Sequence, residues 1–152
     1  MQSGIKKKQP VGAERSLTMI KLITGKKGSG KTKVLVDMIK NAAANTSGNI
    51  VCIEKSMQLT YDIPYSVRLV DVDGYEIDSY DKFYGFIAGT VASNYDIKEV
   101  FVDGILKIGG RNYDELADLL AKVEKITMEI EVVFTVSEDN ENLPDSVKKY
   151  LA

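Results

Sequence analysis

Histidine is absent from all 152 residues of the chain. That absence removes histidine-based triads, histidine metal ligands and a histidine general base together. Cysteine is nearly as scarce. The single one, Cys52, excludes an intrachain disulfide and any zinc site built on several cysteines. It sits in an apolar run, where a buried core thiol is expected. No apolar run is long enough to cross a bilayer. Lys6-Lys7-Lys8 near the N-terminus is not followed by an apolar stretch, so it does not read as a secretory signal. A cytoplasmic location is the default expectation. Past residue 18, arginine occurs only at Arg68 and Arg111.

Charge is unevenly spread. Residues 1–18 carry four basic side chains (Lys6, Lys7, Lys8, Arg15) and one acidic (Glu14), a net of +3. The whole chain has 20 basic and 22 acidic residues, so the remainder has 16 and 21, a net of −5. An acidic body gives no reason to expect nucleic-acid binding. The first 18 residues mix Gly, Pro, Ser, Gln and Lys without periodicity, and read as a disordered leader, a tag or an extended start. The rest is long enough for one domain with a real core.

One stretch organises that domain. Gly25-Lys26-Lys27-Gly28-Ser29-Gly30-Lys31-Thr32 fits G-x-x-x-x-G-K-[ST], the phosphate-binding P-loop. Glycines at these spacings let consecutive N–H groups turn inward around an anion. Lys31 supplies a mobile charge that can reach the β- and γ-phosphates, and Thr32 a hydroxyl for Mg²⁺. Lys26 and Lys27 belong to the loop, with side chains expected to point to solvent or to a partner. The context agrees. Met19 to Thr24 reads as a short strand, and Val34, Leu35, Met38, Ile39, Ala42 and Ala43 recur at helical spacing after the loop.

Strands and helices then alternate. Ile50 to Ile53 reads as a buried strand, followed by an irregular segment over residues 56–66 that holds Tyr61. Val67 to Val72 reads as a strand closed by Asp73-Gly74. A helix runs from a cap at Asp78 or Ser79 to about Ser93. Glu99 to Asp103 is a strand ending in a carboxylate. A helix with Leu116, Leu119, Leu120, Val123 and Ile126 follows, then a strand over Ile130 to Val136 and a short helix after Pro144. The expectation is an α/β fold: a doubly wound, mainly parallel sheet of about five strands in a single domain, residues 19–152. Ligands of such sheets bind beyond the carboxyl ends of the strands.

Val100-Phe101-Val102-Asp103 resembles a Walker B strand, which makes Asp103 a candidate to hold Mg²⁺ or to pair with Thr32. Many P-loop ATPases place a glutamate next, to orient the attacking water; here that residue is Gly104. Glu54 is the best substitute, with an exposed strand-end charge as the alternative. Catalysis is therefore assigned to Lys31 and Glu54, and metal binding to Thr32 and Asp103. Thr135 and Ser137 either sense the γ-phosphate or satisfy local backbone. Arg68 faces the pocket or forms a surface salt bridge. Arg111, on Gly109-Gly110-Arg111, is read as sitting on a flexible turn, able to act on a neighbouring subunit's nucleotide.

Residues 19–152 as a whole resemble a set of small bacterial single-domain P-loop proteins, sometimes labelled twitching-motility ATPases. The resemblance rests on Met19 through Thr32, on Ile77-Asp78-Ser79 with Tyr84-Gly85-Phe86-Ile87, and on Asn94-Tyr95-Asp96-Ile97 leading into Phe101-Val102-Asp103-Gly104. The motility motors themselves are much larger and use histidine-containing motifs. What the resemblance implies is an ATP-binding P-loop fold.

The functional expectation is an ATP-binding protein, a slow Mg²⁺-dependent ATPase or a nucleotide switch. A small nucleoside or metabolite kinase is the runner-up, disfavoured by two body arginines and no visible lid insertion. A nucleotide-binding module without hydrolysis is the third reading, favoured by Gly104. No N-K-x-D motif supports a GTPase. A nucleotide and Mg²⁺ are the expected ligands, and a protein partner or homo-oligomer stays open.

Overall fold

Among the described residues five parallel strands form one sheet: β1 (Ile20–Gly25), β2 (Asn49–Glu54), β3 (Val67–Asp71), β4 (Ile97–Val102) and β5 (Glu131–Ser137). The computed structural model describes residues 18–56 and 62–152. The leader expected over residues 1–18, apart from Thr18, and Tyr61 of the irregular segment lie outside the described residues. The strand order is β1-β5-β4-β2-β3, and every pairing in the sheet is parallel. The last strand in sequence thus inserts between the first and the fourth.

Helices cover both faces, and strand alternation shows which residues serve which face. On one side α1 (Lys31–Asn45) buries Leu35, Val36, Ile39 and Ala42 against Ile50, Cys52, Phe101 and Val133. On the other, α2 (Tyr80–Ser93) and α4 (Tyr113–Ile126) pack on Val51, Ile53, Val100, Val102 and Phe134. Leu116, Leu119, Leu120 and Val123 recur at the spacing that puts them on one helical face, and all four are buried. Each of these two helices starts on a side-chain cap. Ser79 accepts from the N–H of Lys82, and Asn112 accepts from those of Asp114 and Glu115.

Two short helices complete the second layer: α3 (Ile105–Gly109) and α5 (Asp145–Lys148). α3 is a feature that the periodicity did not predict. Five residues are too few for a helical repeat to register. The turn signal at Asp73-Gly74 closes as a 3-10 helix over Val72–Tyr75, and Pro144 caps α5 rather than entering its first turn. β4 begins at Ile97 and ends at Val102, so Asp103 stands one residue past the strand. The open edge of β1 is covered where the N–H of Leu22 donates to Tyr150 O at 2.9 Å and Ala152 N–H donates back to Leu22 O at 3.2 Å. Among the described residues no helix is long and apolar enough to cross a membrane.

Candidate functional site

The carboxyl ends of β1, β4 and β5 converge on a cavity of about 340 Å³ beside the glycine loop. Gly25 closes β1 at φ +144°, a backbone conformation that L side chains rarely adopt, and a Cβ there would lie 2.5 Å from Ser29 Oγ. The N–H of Ser29 donates to Lys26 O at 3.0 Å, which tightens the loop before α1. Gly30 then precedes α1 in a left-handed conformation, and no side chain caps the first turn. No acidic residue occupies that turn either. The first turn of α1 and its positive end therefore face the cavity with no capping side chain, and the nearest carboxylate described there, Asp103, comes from another element.

Lys31 folds back over the loop. Its ammonium donates to Lys26 O at 2.9 Å, and the residue is 8% exposed. Burial pushes its pKa below the usual lysine value; Asp103 opposes that shift and the ammonium of Lys107 adds to it. At the next residue, Thr32 Oγ1 faces Asp103, 3.3 Å from Oδ1 and 3.5 Å from Oδ2. Those separations are long for an O–H···O bond. Two hard oxygens so placed suit Mg²⁺, which takes one or two protein oxygens and completes its shell with water and phosphate. Among the described residues no group of three or more His, Cys, Asp or Glu side chains could hold a metal alone. The fit to Mg²⁺ thus depends on oxygens from a ligand.

Asp103 is held by a neighbour. Thr135 on β5 donates its hydroxyl to Asp103 Oδ1 at 2.8 Å and accepts the N–H of Gly104 at 2.7 Å. Of the two roles foreseen for Thr135, local backbone satisfaction is the one these bonds perform. Glu54 is not the exposed strand-end charge of the alternative reading. It is 1% exposed. The pairing Ile53↔Val102 sets it beside Asp103, and alternation from Cys52 and Phe101 turns both carboxylates toward the α1 face. Glu54 does not line the cavity, whereas Ser137 does.

The cationic residues divide differently from expectation. Lys26 points outward and pairs with Asp139 at 3.6 Å, while Lys27 lines the cavity instead of facing solvent alone. Arg68 lies on edge strand β3 in a different cleft, beside Thr90 and Ser93. Arg111 lines the cavity of its own chain, and so does Lys107 of α3. Lys107 escaped the sequence reading because it carries no motif; only recognising α3 would have set it at the strand ends.

Two clefts of about 350 Å³ lie elsewhere, one between Ser79 and Lys122 and one beside Met19 and Met128. Neither brings a glycine turn or an uncapped helix of α1's length to its wall. No protein-family model matches this chain, and no curated protein matches it.

Proposed function

We propose that the chain is a P-loop protein that binds ATP with Mg²⁺ at the glycine-loop cavity and hydrolyses it slowly, as an ATPase or a nucleotide switch. The observation that carries this reading is the alignment of three groups at the uncapped start of α1. Lys31 stands over the loop, Thr32 is the next residue, and Asp103, just past the end of β4, faces Thr32 at 3.3 Å. In this reading the loop amides and the helix end bind the phosphates, Lys31 neutralises the terminal ones, and Thr32 and Asp103 hold Mg²⁺ directly or through water. The metal would neutralise charge on the phosphate oxygens during transfer to water.

Binding without hydrolysis is favoured by one arrangement. Gly104 stands where a water-orienting carboxylate would follow Asp103, and Glu54 is buried away from the cavity wall. A nucleotide panel tested by thermal shift, with and without Mg²⁺, followed by phosphate release, distinguishes the two. Saturation at about 100 times Kd adds roughly 2.7 kcal/mol of stability. In a domain of this size that raises the melting temperature on the order of 5–10 °C, with ATP above GTP. No shift with any nucleotide at millimolar concentration (order of magnitude) overturns the proposal.

A further inference from the structure

Among the described residues, four cationic ones line the cavity, Lys27, Lys31, Lys107 and Arg111, against one acidic, Asp103. The glycine loop uses only the first two. The other two come from α3 and the elbow after it, on the opposite wall. That elbow is pinned. Tyr80, at the start of α2, donates its hydroxyl to Gly110 O at 2.6 Å, and a Cβ on Gly109 would lie 2.3 Å from the Tyr80 ring. Gly110 N–H donates to Leu106 O at 2.9 Å. The residue after the elbow, Arg111, therefore enters the cavity from a fixed backbone, not from a flexible turn.

Its guanidinium has three acceptors. It donates to Glu138 Oε1 at 3.2 Å, to Ser137 O at 3.2 Å and to the Tyr113 hydroxyl at 3.1 Å. Glu138 is itself anchored, accepting the Tyr113 hydroxyl, the Asp139 N–H at 3.1 Å and the Asn142 amide at 3.0 Å. These bonds, that from Tyr113 first, hold its carboxyl below the usual range. The carbonyl of Glu138 accepts the N–H of Gly25 at 3.0 Å, so the carboxylate that holds Arg111 is joined to the first residue of the loop. Yet the arginine end of the Arg111–Glu138 pair is open to water, its side chain 61% exposed against 19% for Glu138. Water screens the exposed end of such a pair, and a guanidinium with five donors can exchange one oxyanion for another.

We propose that Arg111 is a phosphate-binding residue of its own chain's cavity, parked on Glu138 and Ser137 and transferred to the terminal phosphate of a bound nucleoside triphosphate. The inference rests on the ATP-binding reading above and adds to it a basis for preferring a triphosphate to a diphosphate. Lys107 supports the same wall, since its charge already acts on Lys31 across the cavity. An anion between them relieves that repulsion.

Isothermal titration of the full chain with ATP and with ADP, each with Mg²⁺, tests it. Wild type is expected to bind both, and ATP more tightly. Arg111→Ala weakens ATP binding by about ten- to a hundred-fold and changes ADP binding less than about threefold, as loss of a charge-assisted bond to the terminal phosphate requires. Arg111→Lys recovers part of the ATP affinity, because the charge stays and the fork goes. Glu138→Gln tightens ATP by up to about fivefold, because the guanidinium no longer leaves a carboxylate. Arg111→Ala binding ATP as wild type does, or losing ATP and ADP equally, overturns this proposal and leaves the ATP-binding reading standing. Wild type binding neither nucleotide overturns both.

Discussion

Thr135 bridges Asp103 and the backbone that follows it: its hydroxyl donates to Asp103 Oδ1 at 2.8 Å and accepts the N–H of Gly104 at 2.7 Å. The bridge exists because β5 lies between β1 and β4, with Thr135 paired to Ile23 on one side. Asp103 stands past the end of its strand; its N–H still donates to Ile53 O at 2.9 Å, and Thr135 fixes its carboxylate.

Thr135→Val keeps the shape and removes both bonds. It leaves the buried N–H of Gly104 without its acceptor, which costs roughly 1–3 kcal/mol. Urea unfolding is the measurement, and Thr135→Ser is expected to restore most of the loss. An unchanged midpoint for the valine variant would show that the bridge contributes nothing to stability.

Lys31→Ala should weaken ATP binding sharply, since it removes the charge folded over the loop. Lys27→Ala should cost less, because that side chain is exposed as well as cavity-lining. Asp103→Asn is expected to abolish most of the Mg²⁺ dependence while some metal-free binding survives, because the backbone cradle does not need the carboxylate. Titrations with and without Mg²⁺ resolve the three. Equal losses in all of them would mean that the cavity does not divide its work this way.

Glu54→Gln retains side-chain shape and removes the charge. If Glu54 orients the attacking water, as the sequence leads one to expect, phosphate release falls roughly 10²–10⁴-fold while the affinity for ATP is kept. Identical release by variant and wild type would exclude that role for Glu54. Wild-type release at background would favour the binding-only reading.

Cys52 gives a pH prediction. Burial first, then the charges of Glu54 and Asp103, push its thiol from 9.0 up to about 12. The folded state therefore keeps the neutral thiol at a pH where the unfolded chain ionises. This contribution to stability is fully present below about pH 9 and is lost as pH rises through about 12. The slope is at most about 1.4 kcal/mol per pH unit. Comparing urea midpoints of wild type and Cys52→Ala at pH 8 and pH 10 (approximate settings) isolates it from lysine and tyrosine titration. A difference between the two proteins that does not change with pH would contradict it. The native thiol should also react slowly with a disulfide reagent at neutral pH.

Local chemistry wrote part of this protein directly into the chain. The alternation of apolar runs and helical spacings predicts five strands and the long helices α1, α2 and α4, because burial of one face sets a period that needs no partner to read. The glycine spacing predicts the turn from β1 into α1, because Gly25 and Gly30 adopt backbone angles that side chains resist. Strand order was not legible. Parallel strands joined by helical crossovers can be ordered in several ways with the same local pattern, and only packing chose β1-β5-β4-β2-β3. That choice brought Thr135 to Asp103, buried Glu54 beside Asp103, and turned Arg111 and Lys107 into the cavity of their own chain. A five-residue helix leaves too short a period to be seen, so α3 and its cation, Lys107, became visible only when the chain folded over the strand ends.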